Sequence, residues 1–240
     1  MDKTVAIIGG GPAGLMTAEV LSQRGVKVDV YDSMPSLGRK FLLAGKSGLN
    51  LTHSEPFEKF VTRYGKRKEE IEKWLLDFMP DDLRNWARRL GVETFVGTSG
   101  RVFPMEMKAS PLLRAWLKGL DEAGVNFHLR HRWNGKISLD QGGGSGLKNS
   151  DLSMEFETPD GNITVKADAV ILALGGGSWA RLGSDGAWVN WLSQAGVKVE
   201  ALKPSNCGFD VAWSPVFKEK FDGQPIKSVV LSFGAFHQQG

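Results

Sequence analysis

Apolar residues first cluster at Val5 to Ile8, a largely β-branched run that stops at Gly9, Gly10 and Gly11. An unbroken apolar run ending in glycine predicts a parallel strand buried on both faces. From Gly14 to Arg24 the period changes, with Leu15, Ala18 and Leu21 on one face, and a helix closed by Gly25 is expected. Val26, Val28 and Val30 then alternate up to Tyr31, which predicts a second strand with Asp32 at its carboxyl end. The chain therefore opens strand, helix, strand. No period is sustained from Ser33 to Ser54, and an ordered loop of that length is expected to be functional.

Helical spacing returns over Pro56–Tyr64, Lys66–Phe78 and Asp81–Leu90, with Pro80 separating the last two. Short strands are expected over Gly91–Val96 and Gly100–Phe103. A helix over Ser110–Ala123 follows, with Ser110 and Pro111 as N-cap and first helical residue. Val125–Leu129, Gly135–Leu139, Leu152–Thr158 and Ile163–Ala167 read as strands of one meander, interrupted by a Gly- and Ser-rich surface loop, Gln141–Ser150. Ala169–Leu174 is another buried strand, ending in Gly175, Gly176 and Gly177, and Asp185–Ala195 a short helix. Beyond Val197 the pattern shifts to short strands and turns around Pro204, Pro215 and Pro225, and the strand Ser228–Phe233 has no evident partner. These elements predict an α/β fold. Residues 1–196 form a Rossmann-like domain with a helical insertion near 55–90, and residues 197–240 begin a β-rich second domain.

Composition narrows the function classes. A net charge of +3 is too weak to argue for nucleic acid, and the basic run Arg63 to Lys68 is followed at once by Glu69 and Glu70, as in a solvated helix start. No stretch is long and apolar enough for a membrane span. The single cysteine, Cys207, excludes an internal disulfide and points to a reducing compartment. Gly9 to Pro12 break the only apolar run that resembles a signal peptide, so a cytoplasmic protein is expected. His128 and His131, read as members of one strand, should face opposite ways and share no metal, and no other metal set stands out. The tryptophans at helical spacing, Trp188 and Trp191 among them, are read as core or interface.

The chemistry lies in the first turn. Gly9, Gly11 and Gly14 form a G-x-G-x-x-G pattern, extended by Ala18, Leu21, Gly25, Val28 and Asp32. Gly9 permits a tight turn, Gly11 admits a pyrophosphate against the backbone, and Gly14 with Ala18 lets the helix lie close to the sheet. Phosphates then meet free N–H groups at the positive end of the helix. Asp32 is placed to accept from ribose hydroxyls and to repel a 2′-phosphate, which argues against NADP in this site.

Three features favour FAD over NAD. Gly11-Pro12-Ala13-Gly14 resembles flavoproteins of the glutathione-reductase-like group. The stretch Ser33 to Thr52 is far longer than an ordinary connection. Asp168 to Gly177 resembles the strand and glycine turn with which such flavoproteins contact FAD a second time. Arg39 to Thr52, with Gly100 to Pro104 and Leu182 to Gly186, is similar to segments of the BaiN/YhiN-type flavoproteins, also called HI0933-like NAD(P)/FAD-dependent oxidoreductases. The resemblance covers nearly the whole chain. Lys46, Gly48 and Leu49 depart from the Gly-Arg-Cys of many members, which leaves the substrate open.

The resemblance implies FAD as cofactor and an oxidoreductase acting on a small organic substrate by hydride transfer through flavin N5. Alternatives are a flavin-dependent tRNA-modifying enzyme and an FAD-binding protein without turnover. No second G-x-G-x-x-G occurs, so NADH or NADPH would dock transiently. The candidate cofactor set is Gly9, Gly11, Pro12, Ala13, Gly14, Asp32, Ser33, Arg39, Lys40, Asn50, Thr52, Trp133, Ala173, Leu174, Gly175 and Gly176. Arg39 and Lys40 would neutralise the pyrophosphate or a reduced flavin, and Asn50 and Thr52 would meet the ribityl chain or ring edge. No catalytic residue stands out, and the oligomeric state stays open. Family members continue into a β-rich domain and a C-terminal segment that returns to cover the flavin. These 240 residues alone are therefore expected to hold FAD weakly.

Overall fold

The computed structural model describes residues 3–44, 48–139, 152–204, 210–224 and 229–239. Gly45 to Ser47 of the signature, the stretch 141–150 and Cys207 lie outside the described residues. The chain divides into two units, Met1–Leu202 and Lys203–Gly240.

The first unit runs β1 (Thr4–Ile8), α1 (Pro12–Ser22), β2 (Lys27–Asp32), α2 (Arg39–Ala44), β3 (Thr52–His53) and α3 (Phe57–Phe60). It continues through α4 (Lys68–Leu75), α5 (Pro80–Arg89), β4 (Thr94–Val96), β5 (Arg101–Pro104), α6 (Ala109–Glu122) and β6 (Asn126–Leu129). It ends with β7 (Arg132–Leu139), β8 (Leu152–Thr158), β9 (Gly161–Ala167), β10 (Ala169–Leu172) and α7 (Trp188–Gln194). A four-stranded sheet in the order β10-β1-β2-β6 is parallel throughout, with Val5 registered against both Ala169 and Val28. Parallel neighbours need crossovers. Here α1, the helical insertion and the meander provide them.

Side chains alternate along a strand, so β1 feeds two cores. Val5 and Ile7 pack with Leu15 and Ala18 of α1 and with Leu112, Trp116 and Leu120 of α6. Ala6 and Ile8 face Tyr31, Trp133, Met154 and Phe156, where the antiparallel sheet β7-β8-β9 covers the other side. The unbroken apolar run from Val5 to Ile8 thus reflects cover on both faces.

Several expectations are corrected. Val125–Leu129 belongs to no meander: β6 pairs in parallel with β2, from Asp29 opposite Asn126 to Asp32 opposite Leu129. Arg130, at φ 58°, turns the chain out of that sheet before β7 begins, so residues of similar period fall in different sheets. The stretch Ser33 to Ser54 holds α2 and β3, both too short to impose a visible period. Lys108, not Ser110, caps α6, and Pro111 sits in its first turn, where the missing N–H has no helical partner to lose. The insertion is helical as expected, with a 3₁₀ segment at Val61–Arg67, where Arg63 pairs with Glu55 and Arg67 with Glu70.

In the second unit a helix replaces one expected strand region: α8 (Pro215–Phe221) begins at Ser214, whose Oγ accepts the Phe217 N–H at 3.2 Å. The last strand also has a partner, because β11 (Val230–Phe233) forms an antiparallel hairpin with β12 (Phe236–Gln239).

Candidate functional site

The strand-to-helix turn after β1 is built from glycine for reasons visible in its geometry. Gly9 has φ 114°, and a Cβ there would lie 2.2 Å from the Ala173 carbonyl oxygen. A Cβ on Gly14 would lie 1.9 Å from the Gly9 carbonyl oxygen. Gly11 differs from both: a Cβ there meets nothing within 4 Å among the described residues. The first and third glycines therefore serve packing, and the second leaves open space in front of the backbone, where a phosphate would approach.

Asp32 holds the neighbouring strand end to this turn. Its Oδ2 accepts the Gly10 N–H at 2.7 Å and its Oδ1 accepts the Met34 N–H at 2.8 Å. Burial holds the carboxyl above the ordinary aspartate range, although the Met34 and Gly10 N–H groups and the Arg39 charge pull the other way. The sequence pattern points to Asp32 as a ligand residue. Its part in shaping the glycine turn is additional and has no signature in spacing.

A cavity of about 300 Å³ opens at the carboxyl ends of β10, β1 and β2. Gly9, Gly11, Pro12, Asp32, Ser33, Arg39 and Lys40 line it from the first half of the chain. Trp133, Ala173, Leu174, Gly175 and Gly176 line it from the second. Ala13 and Gly14 lie in the first turn of α1, outside the lining, with Gly14 packed under Gly9. Asn50 and Thr52 are not brought to this cavity. Thr52 is buried in β3 opposite Val102 and Asn50 is exposed beside it, because that segment pairs into the separate sheet β3-β5-β4.

The lining also contains residues that the sequence reading placed elsewhere or passed over. Trp188 and Trp191 line the cavity, and Trp191 also packs against the second core, meeting Trp133 edge-on at 5.4 Å. His131 lines it too, and it does not diverge from His128: their rings stand 5.6 Å apart beside Tyr31. The reason is again Arg130, which ends the strand after Leu129, so the two histidines do not share an extended segment. Tyr31 is stacked between His128 at 4.4 Å and Phe156 at 4.6 Å. Burial, with Asp29 adding to it, pushes its hydroxyl up to about 12. It is a neutral spacer at ordinary pH. Among the described residues no group of three or more His, Cys, Asp or Glu is arranged to hold a metal.

The lining suits a dinucleotide with anionic groups. Arg39, Lys40 and Arg132 bring positive charge, against Asp32 and Asp185. Arg39 Nε, Ser184 Oγ and Trp188 Nε1 are buried without a hydrogen-bond partner among the described residues, and all three residues belong to this wall. Unpaired buried donors are costly and concentrate where a ligand completes them.

Fold and cavity together define a Rossmann-type α/β domain. A family model described as the HI0933-like protein Rossmann domain matches residues 3–223, and the chain belongs to that family. Among curated relatives, thiamine thiazole synthase of Methanosarcina acetivorans is 35% identical over 71 residues, 30% of this chain and 27% of that protein. The glutamate synthase (NADPH) small chain of Escherichia coli K12 is 58% identical over 36 residues, 15% of this chain and 8% of that protein. These matches span about a quarter or less of the relatives' length. Among solved structures, Thermovibrio ammonificans THI4 superposes with a TM-score of 0.51 at 18% identity, covering 82% of this chain and 64% of that one. The open conformation of a flavocytochrome c3 fumarate reductase does so with 0.54 at 18% identity, covering 73% and 34%. At such identities the likeness is one of fold. Among the described residues no helix is long and apolar enough to cross a membrane.

Proposed function

We propose that this chain binds FAD as part of an oxidoreductase acting on a small organic substrate by hydride transfer through flavin N5. One observation carries the reading: two glycine turns and an acidic strand end, from the adjacent strands β10, β1 and β2, meet at one cavity. When bound, the flavin supplies the redox chemistry, and the polypeptide supplies position, charge and exclusion of water.

The open backbone at Gly11 and the N-terminus of α1 receive the pyrophosphate. Asp32 accepts from ribose through lone pairs left over by Gly10 and Met34. Arg39 and Lys40 offset negative charge on the ligand. Gly175 and Gly176 let it pass close to the end of β10. The names of the relatives agree with redox and cofactor chemistry on small molecules. The lack of a second glycine fingerprint favours NADH or NADPH as a transient donor rather than a resident one.

The test is an FAD titration followed by fluorescence quenching, then anaerobic stopped-flow mixing of the FAD-loaded protein with NADH and with NADPH. Weak but saturable binding, and bleaching of the bound flavin band by one nicotinamide, are expected. Binding without reduction by either would leave an oxidase fed directly by its substrate, or a binding role without turnover. No binding would refute the reading.

A further inference from the structure

We infer that residues 178–185 are a lid over the adenosine end of the cavity, held shut by two polar straps, so that opening of this lid governs how fast the dinucleotide enters and leaves. The inference rests on the FAD reading above for the identity of what passes beneath.

The segment is closed on itself. Trp179 and Ser184 exchange two backbone hydrogen bonds, at 3.0 and 3.1 Å, so residues 179–184 form one small unit. Its two ends lie together, since a Cβ on Gly177 would stand 3.6 Å from the Gly186 Cα. A compact loop with adjoining ends and a glycine at each is suited to hinge as a body. At its tip Gly183 lies against Ser33 and Met34, and a Cβ there would come within 2.9 Å of Met34 Cγ. These residues follow Asp32, the ribose acceptor. The tip therefore covers the adenosine end.

Two side chains from opposite walls fasten the segment. Lys40 Nζ, on α2, donates to Ser178 Oγ at 2.7 Å. Arg132 Nη2, at the start of β7, donates to Asp185 Oδ2 at 2.9 Å. The other oxygen of Asp185 accepts the Ala187 N–H at 3.0 Å, which fixes the carboxylate at the base of the lid. Both straps are near the surface, with side-chain exposure of 47% for Arg132 and 32% for Asp185, so each is weak enough to break often. Closure also leaves Ser184 Oγ, on a residue only 5% exposed, without a partner among the described residues. A closed state that carries an unmet hydroxyl and is held by two breakable contacts is poised to open.

Hydrogen exchange and flavin kinetics test this on the full chain. Asp185→Asn keeps an acceptor for Ala187 but removes the charge that holds Arg132, and Ser178→Ala removes the other strap. In flavin-free protein, amide exchange over residues 178–187 should quicken about two- to fivefold in either variant, with β1 and β2 unchanged. Unchanged exchange would overturn the lid. In stopped flow with FAD, association and dissociation should rise by similar factors and leave Kd nearly constant. A rise in dissociation alone would mean that the strap residues simply touch the ligand, and it too would overturn the lid. Failure of the parent protein to bind FAD would strike the functional reading instead, while the exchange measurement would still judge the lid.

Discussion

Trp116 donates its indole N–H to the carboxylate of Glu19 at 2.6 Å. The same carboxylate accepts the indole N–H of Trp86 at 3.0 Å, and the two rings meet edge-on with centroids 4.8 Å apart. One acidic residue on α1 therefore fastens α5 of the insertion and α6 to the dinucleotide-binding helix. Glu19→Leu would leave both indole N–H groups without their acceptor. We expect a loss of about 1–3 kcal/mol, the cost of a buried donor left unpaired. Urea unfolding followed by tryptophan emission reads it, and an unchanged midpoint would refute the role.

The three glycines of the fingerprint should respond differently to alanine. Gly9→Ala combines a left-handed backbone with a Cβ driven against Ala173, and a loss of roughly 2–5 kcal/mol is expected. Gly11→Ala has free space around it, so the fold should survive with its melting temperature nearly intact while FAD affinity falls. Differential scanning calorimetry beside an FAD titration separates the two effects. Equal destabilisation by both substitutions would contradict the assignment of Gly11 to the ligand.

Asp32→Ala strips a charged acceptor from two backbone N–H groups as well as from the ribose. Stability of the ligand-free protein should drop by about 1.5–3 kcal/mol, and FAD affinity by roughly ten- to a hundredfold. A variant that lost affinity but no stability would show that the turn holds its shape without Asp32.

Asp168 gives a pH signature. Its Oδ2 accepts both the backbone N–H of Thr4 at 2.7 Å and the Thr4 hydroxyl at 3.0 Å, tying the start of β10 to the start of β1. These bonds hold its carboxyl below the ordinary aspartate value of 3.8. A depressed carboxyl stabilises the fold above its unfolded value and loses that contribution as pH falls through the folded one. Asp168→Asn should therefore melt below the parent at neutral pH, with the gap closing as the pH drops beneath about 3.8. Melting curves by circular dichroism across that range decide it, and a gap independent of pH would refute it.

Much of the fold was legible because β1, α1 and β2 are local: each period is complete within a few residues, and the fingerprint needs only spacing. The β10 turn was legible for the same reason. What escaped depends on single backbone angles or distant partners. Arg130 carries no hint in its residue type that it will leave the strand region, yet its turn moves β6 into the parallel sheet and brings His131 to the cavity wall. Likewise Asn50 and Thr52 sit in a motif continuous with Arg39 and Lys40, but pairing with β5 draws Thr52 into another sheet. The helix α8 was masked by prolines, although Ser214 and Pro215 are a proper cap and first residue once read together.

The strand order β10-β1-β2-β6 also sets a timetable for synthesis. β1 can join β2 as soon as the first 32 residues are free, and β6 can add to β2 later, but the other edge of β1 waits for residues 169–172. At a translation rate of roughly 5–20 residues per second, that wait lasts on the order of ten to thirty seconds. Throughout it the unpaired edge of a strand that is apolar from Val5 to Ile8 is open to wrong partners. The nascent chain should thus be most exposed to misassembly, and most in need of a chaperone, between the emergence of its nucleotide-binding turn and the arrival of the strand that completes it.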